Sequence, residues 1–320
     1  MRLLTTVLLI AAMQVTFMAS AAETVVEAPG PEGPLVGTLL APSSPNPPVV
    51  LIIPGSGPTD RDGNNSMGLR PSTYRLLAEG LATRGIATVR TDKRGLFGSR
   101  AAIPDPNAVT INDSAADVHT WISFIRERTG AACVWVLGHS EGGLVALVAA
   151  QNPLDLCGLI LVAAAGRPLG EVLREQLRSN PANAPILDQA LSAVSQLEAG
   201  RRVDASSMHP ALLPLFRPEV QDFLINELSF DPAQLIANCR KPVLIVQGDR
   251  DIQVGIPDAE RLQRALPGAK LSILSNTNHV LKTVSSGDRA ANIATYTAPD
   301  LPLALDTIDA IANFISGQSR

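Results

Sequence analysis

The stretch Val134-Trp135-Val136-Leu137-Gly138-His139-Ser140-Glu141-Gly142-Gly143 runs from an apolar strand pattern through G-x-S-x-G, and residues 144–150 continue as an apolar helix. In that setting the pattern reads as a nucleophile elbow, a tight turn that lifts a serine above a sheet on a strained backbone. Glycines two residues to either side are needed because side chains there would collide with the adjoining strand and helix. The turn also aims the first amides of the helix at whatever Ser140 attacks. An ordinary turn serine would leave the flanking strand and helix without a reason.

A serine hydroxyl needs a base, and there are four histidines to choose from. His139 is the variable residue inside the elbow and is read as pointing away from the nucleophile's path. His119 falls in a helical pattern, AADVHTWISFIRER, and His209 precedes Pro210 in a proline-punctuated region; both read as structural. His279, in SNTNHV, follows the last strand pattern and returns to the sheet edge that carries the elbow. The base in turn needs a carboxylate to hold its tautomer. VLIVQGDRD (243–251) puts Asp249 and Asp251 just past a strand end, and spacing alone does not separate them. An oxyanion hole needs two backbone donors. One is the N–H of Glu141, after the nucleophile; the other is expected from the turn PGSGP (54–58), with Ser56 N–H the choice. GSGP lacks the G-x-G-x-x-G spacing and the following helix of a phosphate-binding loop.

Along the rest of the chain, short apolar runs recur at 49–53, 86–90, 133–137, 158–163, 243–246 and 271–274, with helical patterns between them. Runs this short, without alternation, suit strands buried on both faces and joined by right-handed helical crossovers. The fold class is α/β, a mostly parallel, doubly wound sheet. Residues 24–26 and 35–40, joined by PGPEGP, read as an antiparallel hairpin on one edge. Between 167 and 237 there are only Leu-rich helical pieces broken by prolines, which reads as a helical insertion packed on the main domain.

The chain has 320 residues, 46% hydrophobic and 18% charged, with a formal charge of −4. With eleven Phe, Trp and Tyr residues and no Lys/Arg run, it has little from which to build a nucleic-acid surface. The histidines are too scattered for a zinc motif, three cysteines cannot form a disulfide framework, and no metal or cofactor is implied. Met1 and Arg2 precede the apolar run LLTTVLLIAAMQVTFM, which meets the small residues Ala19, Ser20, Ala21 and Ala22. That is the pattern of a secretory signal peptide cleaved before Ala22 or Glu23. As an uncleaved anchor the run is short and carries three threonines and a glutamine. The expectation is an exported protein, periplasmic or extracellular, without membrane anchoring after cleavage.

These residues resemble the α/β-hydrolase fold family, and more narrowly secreted bacterial carboxylesterases and serine aminopeptidase-type hydrolases. GSGPTDRDGN (55–64), TDKRGLFGS (91–99), GHSEGG (138–143), GDRD (248–251) and NHVLK (278–282) carry the likeness, which covers most of the chain outside the insertion. The chain order Ser, Asp, His matches the family, and its G-x-x-D setting for the acid selects Asp251 over Asp249. The usual His-Gly of the oxyanion loop is Pro54-Gly55 here. With the signal peptide at 1–22, the resemblance divides the rest into a core (23–166 and 238–320) and a helical cap (167–237), some of whose leucines would line or cover an acyl pocket while most serve the cap's own packing. Asp60, Arg61, Asp62 and Arg94 are read as loop-pinning ion pairs, with substrate contact the alternative.

The expected activity is hydrolysis of a small carboxylic ester of short to medium acyl length through an acyl-enzyme. Amide or aminopeptide cleavage by the same triad is the alternative, for which a cap carboxylate such as Glu171 or Glu219 would have to receive an amino terminus. A catalytically inactive binding module is the alternative from another class. In this fold the strand after the elbow lies between the elbow strand and the acid-bearing strand. Counting back from the strand ends then pairs Cys157 with Cys239 in a disulfide and leaves Cys133 a buried thiol.

Overall fold

The computed structural model describes residues 22–318. The signal-peptide segment therefore falls outside the described residues, save Ala22. Eight strands form one sheet: β1 (Ala22–Ala28), β2 (Leu35–Ala41), β3 (Val49–Ile53), β4 (Ala87–Thr91), β5 (Val134–His139), β6 (Leu156–Val162), β7 (Val243–Gly248) and β8 (Lys270–Leu274). Their order is β1-β2-β4-β3-β5-β6-β7-β8. The first three neighbours, β1, β2 and β4, pair antiparallel, and every other pairing is parallel.

The lack of alternation in the strand sequences has a direct cause. Val50, Ile52, Trp135, Leu137, Ile160, Val162, Leu244 and Val246 pack on one face with Leu77, Leu81, Ile311 and Ile315 of the helices Thr73–Thr83 and Thr307–Gln318. Their neighbours in sequence, Leu51, Val136, Leu161 and Ile245 among them, pack on the other face with helices Ile111–Thr129 and Glu141–Ala149. Side chains alternate in direction along a strand, so covering both faces requires apolar residues at every position. The order reverses where β5 takes its place on the far side of β3 from β4. In open α/β sheets a crevice opens there, beyond the carboxyl ends of the strands.

The segment between β6 and β7 contains helices Leu169–Ser179, Leu187–Glu198, Leu213–Phe216, Gln221–Leu228 and Pro232–Ala237. It has a core of its own around Val194, Leu197, Phe216 and Leu228. Its entry is fixed by Asp258, a fully buried carboxylate in helix Ile256–Ala265. Asp258 accepts from the amides of Gly166 and Arg167 at 3.0 and 3.2 Å, and from Arg167 Nε and Nη2 at 2.9 and 2.7 Å.

The cysteine pairing differs from the expectation. Cys133 is bonded to Cys157, with Cα atoms 5.1 Å apart, and Cys239 is a buried free thiol. Two features defeat the count from strand ends. The β5–β6 register shifts between Val134 and Trp135, so that Val134 faces Leu156 while Trp135 faces Gly158, and the extra residue is Cys157. In addition, Cys157 packs on the face of Trp135, whereas Cys239 lies in the cluster on the opposite face. The bond spans 24 residues, for which the chain-entropy model gives about 3.5 kcal/mol.

Protein denatured without reductant should therefore titrate one thiol per chain and yield a peptide joining Cys133 to Cys157. Replacing both residues by serine should lower the unfolding free energy in urea by roughly 3 kcal/mol. A Cys157–Cys239 peptide, or three titratable thiols, would show the assignment to be wrong.

Candidate active site

Ser140 stands between β5 and helix Glu141–Ala149 with φ 54° and ψ −121°, a conformation that a non-glycine residue adopts only under constraint. The constraint is close backbone packing. A Cβ on Gly142 would lie 2.4 Å from the carbonyl oxygen of Ile53 in β3, and one on Gly138 would lie 2.1 Å from that of Gly142. Only glycines let strand, turn and helix approach this closely. Ser140 N–H donates to Val162 O in β6 at 2.9 Å, which ties the turn to the strand on its other side.

His279 lies on the loop after β8, and its Nδ1 donates to Asp251 Oδ2 at 2.7 Å. The side chain of Asp251 is fully buried. Its Oδ1 accepts from the amides of Gln253 and Val254 at 2.8 and 3.0 Å, and Gln247 Nε2 reaches Oδ2 at 3.2 Å. Burial pushes this carboxyl up, but the charge and hydrogen bond of His279 and the two amides outweigh it and hold the group below the usual carboxylate range. Asp249 is exposed and its nearest cation is Arg250, 4.0 Å away. The structure thus brings Asp251, and not Asp249, to His279. With Nδ1 committed as donor, Nε2 is the nitrogen left to accept a proton.

The His279 loop is held by its neighbours. Asn278 Nδ2 donates to Asn292 Oδ1 and Thr295 Oγ1 at 3.0 and 2.7 Å, and its Oδ1 accepts from Lys282 N–H at 2.9 Å. Thr73 Oγ1 donates to Val280 O at 3.0 Å.

Ser56, Ser140 and Glu141 line a cavity of about 580 Å³ that is closed on its other side by residues of the inserted helices, among them Leu173, Leu215, Phe223 and Leu224. Some of the leucines assigned to the insertion therefore do face the cavity. The charges singled out near the first loop form ion pairs. Arg61 meets Asp92 at 3.0 Å, Asp62 meets Arg90 at 2.5 Å, and Arg94 meets Asp117 at 2.6 Å. Asp60 Oδ1 accepts from the amides of Asp62 and Asn64, closing the loop on itself. Arg94 and Lys93 also reach the cavity wall. Glu171 and Glu219 are absent from that wall and pair with Arg261 and Arg217 at 3.8 and 4.0 Å. His119 and His209 take no part in the site; His209 Nδ1 accepts from Ala211 N–H at 3.2 Å, within the insertion.

Sequence reasoning gave His139 no role, and the structure gives it one. Its Nε2 lies 2.8 Å from His279 O, and a carbonyl can only accept, so Nε2 carries the proton. Burial, with the nearby charge of His279, pushes His139 down to about 3, so the ring is neutral and Nδ1 is an acceptor. Tyr74 Oη, 2.9 Å away, must then be the donor to it, and Tyr74 Oη itself accepts from Gly55 N–H at 2.8 Å. A buried chain thus runs from the loop after β3 through Tyr74 and His139 to the backbone of His279. It ties the Pro54–Gly55 peptide and the His279 loop together. Nothing in the sequence places Tyr74, in a different helix, against the elbow.

Comparison with known proteins identifies the family and the fold. Residues 49–293 match the alpha/beta hydrolase family model, and the chain belongs to that family. It is 28% identical over 256 residues to Esterase EstD of Thermotoga maritima, an alignment covering 77% of this chain and 58% of that protein, less than two thirds of its length. Among solved structures, an esterase of Pyrococcus furiosus superposes with a TM-score of 0.60 at 14% identity, covering 98% of this chain and 96% of that one. A proline iminopeptidase of Mycobacterium smegmatis superposes with a TM-score of 0.59 at 16% identity, covering 92% and 98%. The likeness to these two structures is one of fold, shared by proteins named for different reactions.

Tyr74→Phe should keep the fold but destabilise it by about 1–3 kcal/mol, because Gly55 N–H and His139 Nδ1 lose their partner in a buried setting. It should also slow covalent labelling of Ser140 by a fluorophosphonate probe by roughly tenfold or more, through misplacement of the two loops. Labelling at the wild-type rate would mean that the chain does not position the site.

Proposed function

We propose that the protein is an exported serine hydrolase that cleaves carboxylic esters through an acyl-enzyme. The observation that carries this is the 2.7 Å bond between His279 Nδ1 and buried Asp251, on a loop bonded through His279 O to His139 of the elbow, whose serine lines a largely apolar cavity. In the first step Ser140 Oγ attacks the ester carbonyl carbon and its proton passes to His279 Nε2. The amides of Ser56 and Glu141 hold the developing oxyanion. Collapse of the tetrahedral intermediate expels the alcohol, which takes the proton from Nε2. Water then attacks the acyl-enzyme, giving a proton to Nε2, and release of the carboxylic acid restores Ser140. Asp251 stays ionised and stabilises the imidazolium at each stage. No cofactor is needed for any of these steps.

Several features support ester over amide cleavage. The one curated relative above carries an esterase name, and the two cap carboxylates considered for an amino terminus, Glu171 and Glu219, are absent from the cavity wall and paired with Arg261 and Arg217. Export is supported by the N-terminal sequence and by the Cys133–Cys157 bond, since disulfides persist mainly in oxidising compartments.

Wild-type protein should hydrolyse soluble aryl esters of short to medium acyl length faster than emulsified long-chain triglyceride and faster than aminoacyl arylamides. Ser140→Ala and His279→Ala should each lose on the order of a million-fold in kcat, and Asp251→Asn about ten-thousand-fold, with Asp249→Asn far milder. A tenth of the activity surviving in either of the first two variants, or equal effects at the two aspartates, would overturn the assignment. Faster turnover of the arylamides would replace ester with amide as the substrate bond.

A further inference from the structure

Glu227 occupies the last turn of helix Gln221–Leu228, in the insertion, and is 7% exposed. It lines the same cavity as Ser140, on an otherwise apolar stretch of wall made by Val220, Phe223, Leu224 and Phe230. Its carboxyl makes neither a hydrogen bond nor an ion pair with any described residue; the nearest charges it feels are Glu141 and Lys93, which are paired with each other at 2.8 Å. Buried polar groups are almost always satisfied, and an unsatisfied one costs stability that an apolar residue would not. The helix's own packing, through Leu224 and Leu228, gives no reason for a carboxyl here.

We propose that Glu227 is a specificity residue that reads a neutral hydroxyl group on the ester, so that the preferred substrates are hydroxylated esters. This rests on the ester-hydrolase reading above. The fit is one of hydrogen-bonding capacity. A carboxylic acid presents one O–H donor and one carbonyl acceptor, and an alcohol offers the complementary acceptor and donor. Burial and the neighbouring Glu141 carboxylate push Glu227 well above the usual range, which favours that neutral form. An ammonium group is a poorer match. It would need Glu227 ionised and would sit near the Lys93 ammonium, in a cavity whose charged lining is Lys93, Arg94, Arg167 and Arg217 against only Glu141 and Glu227. A carboxylate on the substrate would face Glu141, and Lys93 is already engaged by that residue. An uncharged group with both a donor and an acceptor meets no such opposition.

The experiment is a set of paired substrates: p-nitrophenyl butyrate against its 3-hydroxy and 4-hydroxy analogues, and ethyl butyrate against glycol monobutyrate, so that acyl and alcohol sides are both sampled. The readout is the ratio of kcat/KM, hydroxylated over plain, for wild type, Glu227→Gln and Glu227→Leu. Wild type should favour the hydroxylated member of at least one pair. Glu227→Gln, which keeps a donor and an acceptor, should retain that preference, and Glu227→Leu should reduce the ratio by about tenfold or more. A wild type without preference in any pair overturns the proposal even if neither variant folds. So does a ratio unchanged in Glu227→Leu, or a preference for aminoacyl substrates that both variants lose, which would mark an ionised ammonium-binding site. Turnover of none of the esters would instead overturn the hydrolase reading. Glu227 would then be judged by calorimetric binding of the same pairs, where the same pattern in Kd supports the proposal and equal affinities overturn it.

Discussion

The close approach of three backbones around Ser140 is the constraint on which the rest of the site depends. A serine at φ 54° and ψ −121° costs about 1–3 kcal/mol and persists only where its surroundings leave no other choice. Here the surroundings are β3, through Ile53 and Pro54 against Gly142, and β6, through Val162 O on Ser140 N–H. Both strands flank β5 in the sheet, so the elbow geometry is a consequence of sheet order. The same packing leaves little room for a side chain on Gly55, where a Cβ would lie 3.2 Å from both Ser140 Cβ and His139 Nδ1. Sheet topology, serine strain and the close packing of the loop after β3 are therefore one arrangement.

What the sequence made legible follows from how much of that arrangement is local. Strands β3 to β7 declared themselves because burial on both faces demands continuous apolar runs, and the edge hairpin because PGPEGP separates two of them; β8, at the other edge, is partly exposed, with only Leu274 buried. The elbow declared itself because its glycines answer to steric needs within five residues. The choice of Asp251 over Asp249 needed a family pattern, because both lie past the same strand end and only the loop's fold, with Gln253 and Val254 amides turned onto Asp251, separates them. The cysteines were misread because pairing depends on register and on sheet face together. A single extra residue in β6 shifted the first, and the alternation of side chains decided the second. Tyr74, His139 and Glu227 were invisible as functional residues, since each acquires meaning only from a partner, or the lack of one, at a distant point of the chain.

The polar groups of the site divide by how they are satisfied. Asp251, His139 and Asn278 are buried and fully engaged, and such closed networks fix geometry because any displacement leaves a buried group without a partner. Lys93 and Glu141 neutralise each other at the cavity wall. The Glu227 carboxyl, on the cavity wall, keeps its capacity open. Fixed groups suit the chemistry, which needs the same atoms in the same place in every turnover, and an open group suits recognition, which is completed only when a ligand arrives.

The placement of the insertion is coupled to the chemistry through one short segment. Residues 251–258 carry Asp251 at one end and Asp258 at the other. Val254 between them donates its amide to Asp251 and contributes to the cavity wall. Asp258 holds Arg167 and two amides where the chain leaves β6 for the inserted helices. Removing one partner of a buried ion pair costs about 3–5 kcal/mol, so this junction resists displacement. The wall that bears Phe223, Leu224 and Glu227 is thus referred to the same loop that orients His279. Variation within the inserted helices can change what the cavity accepts without moving the proton-transfer groups, whereas a change in the 251–258 segment would disturb both.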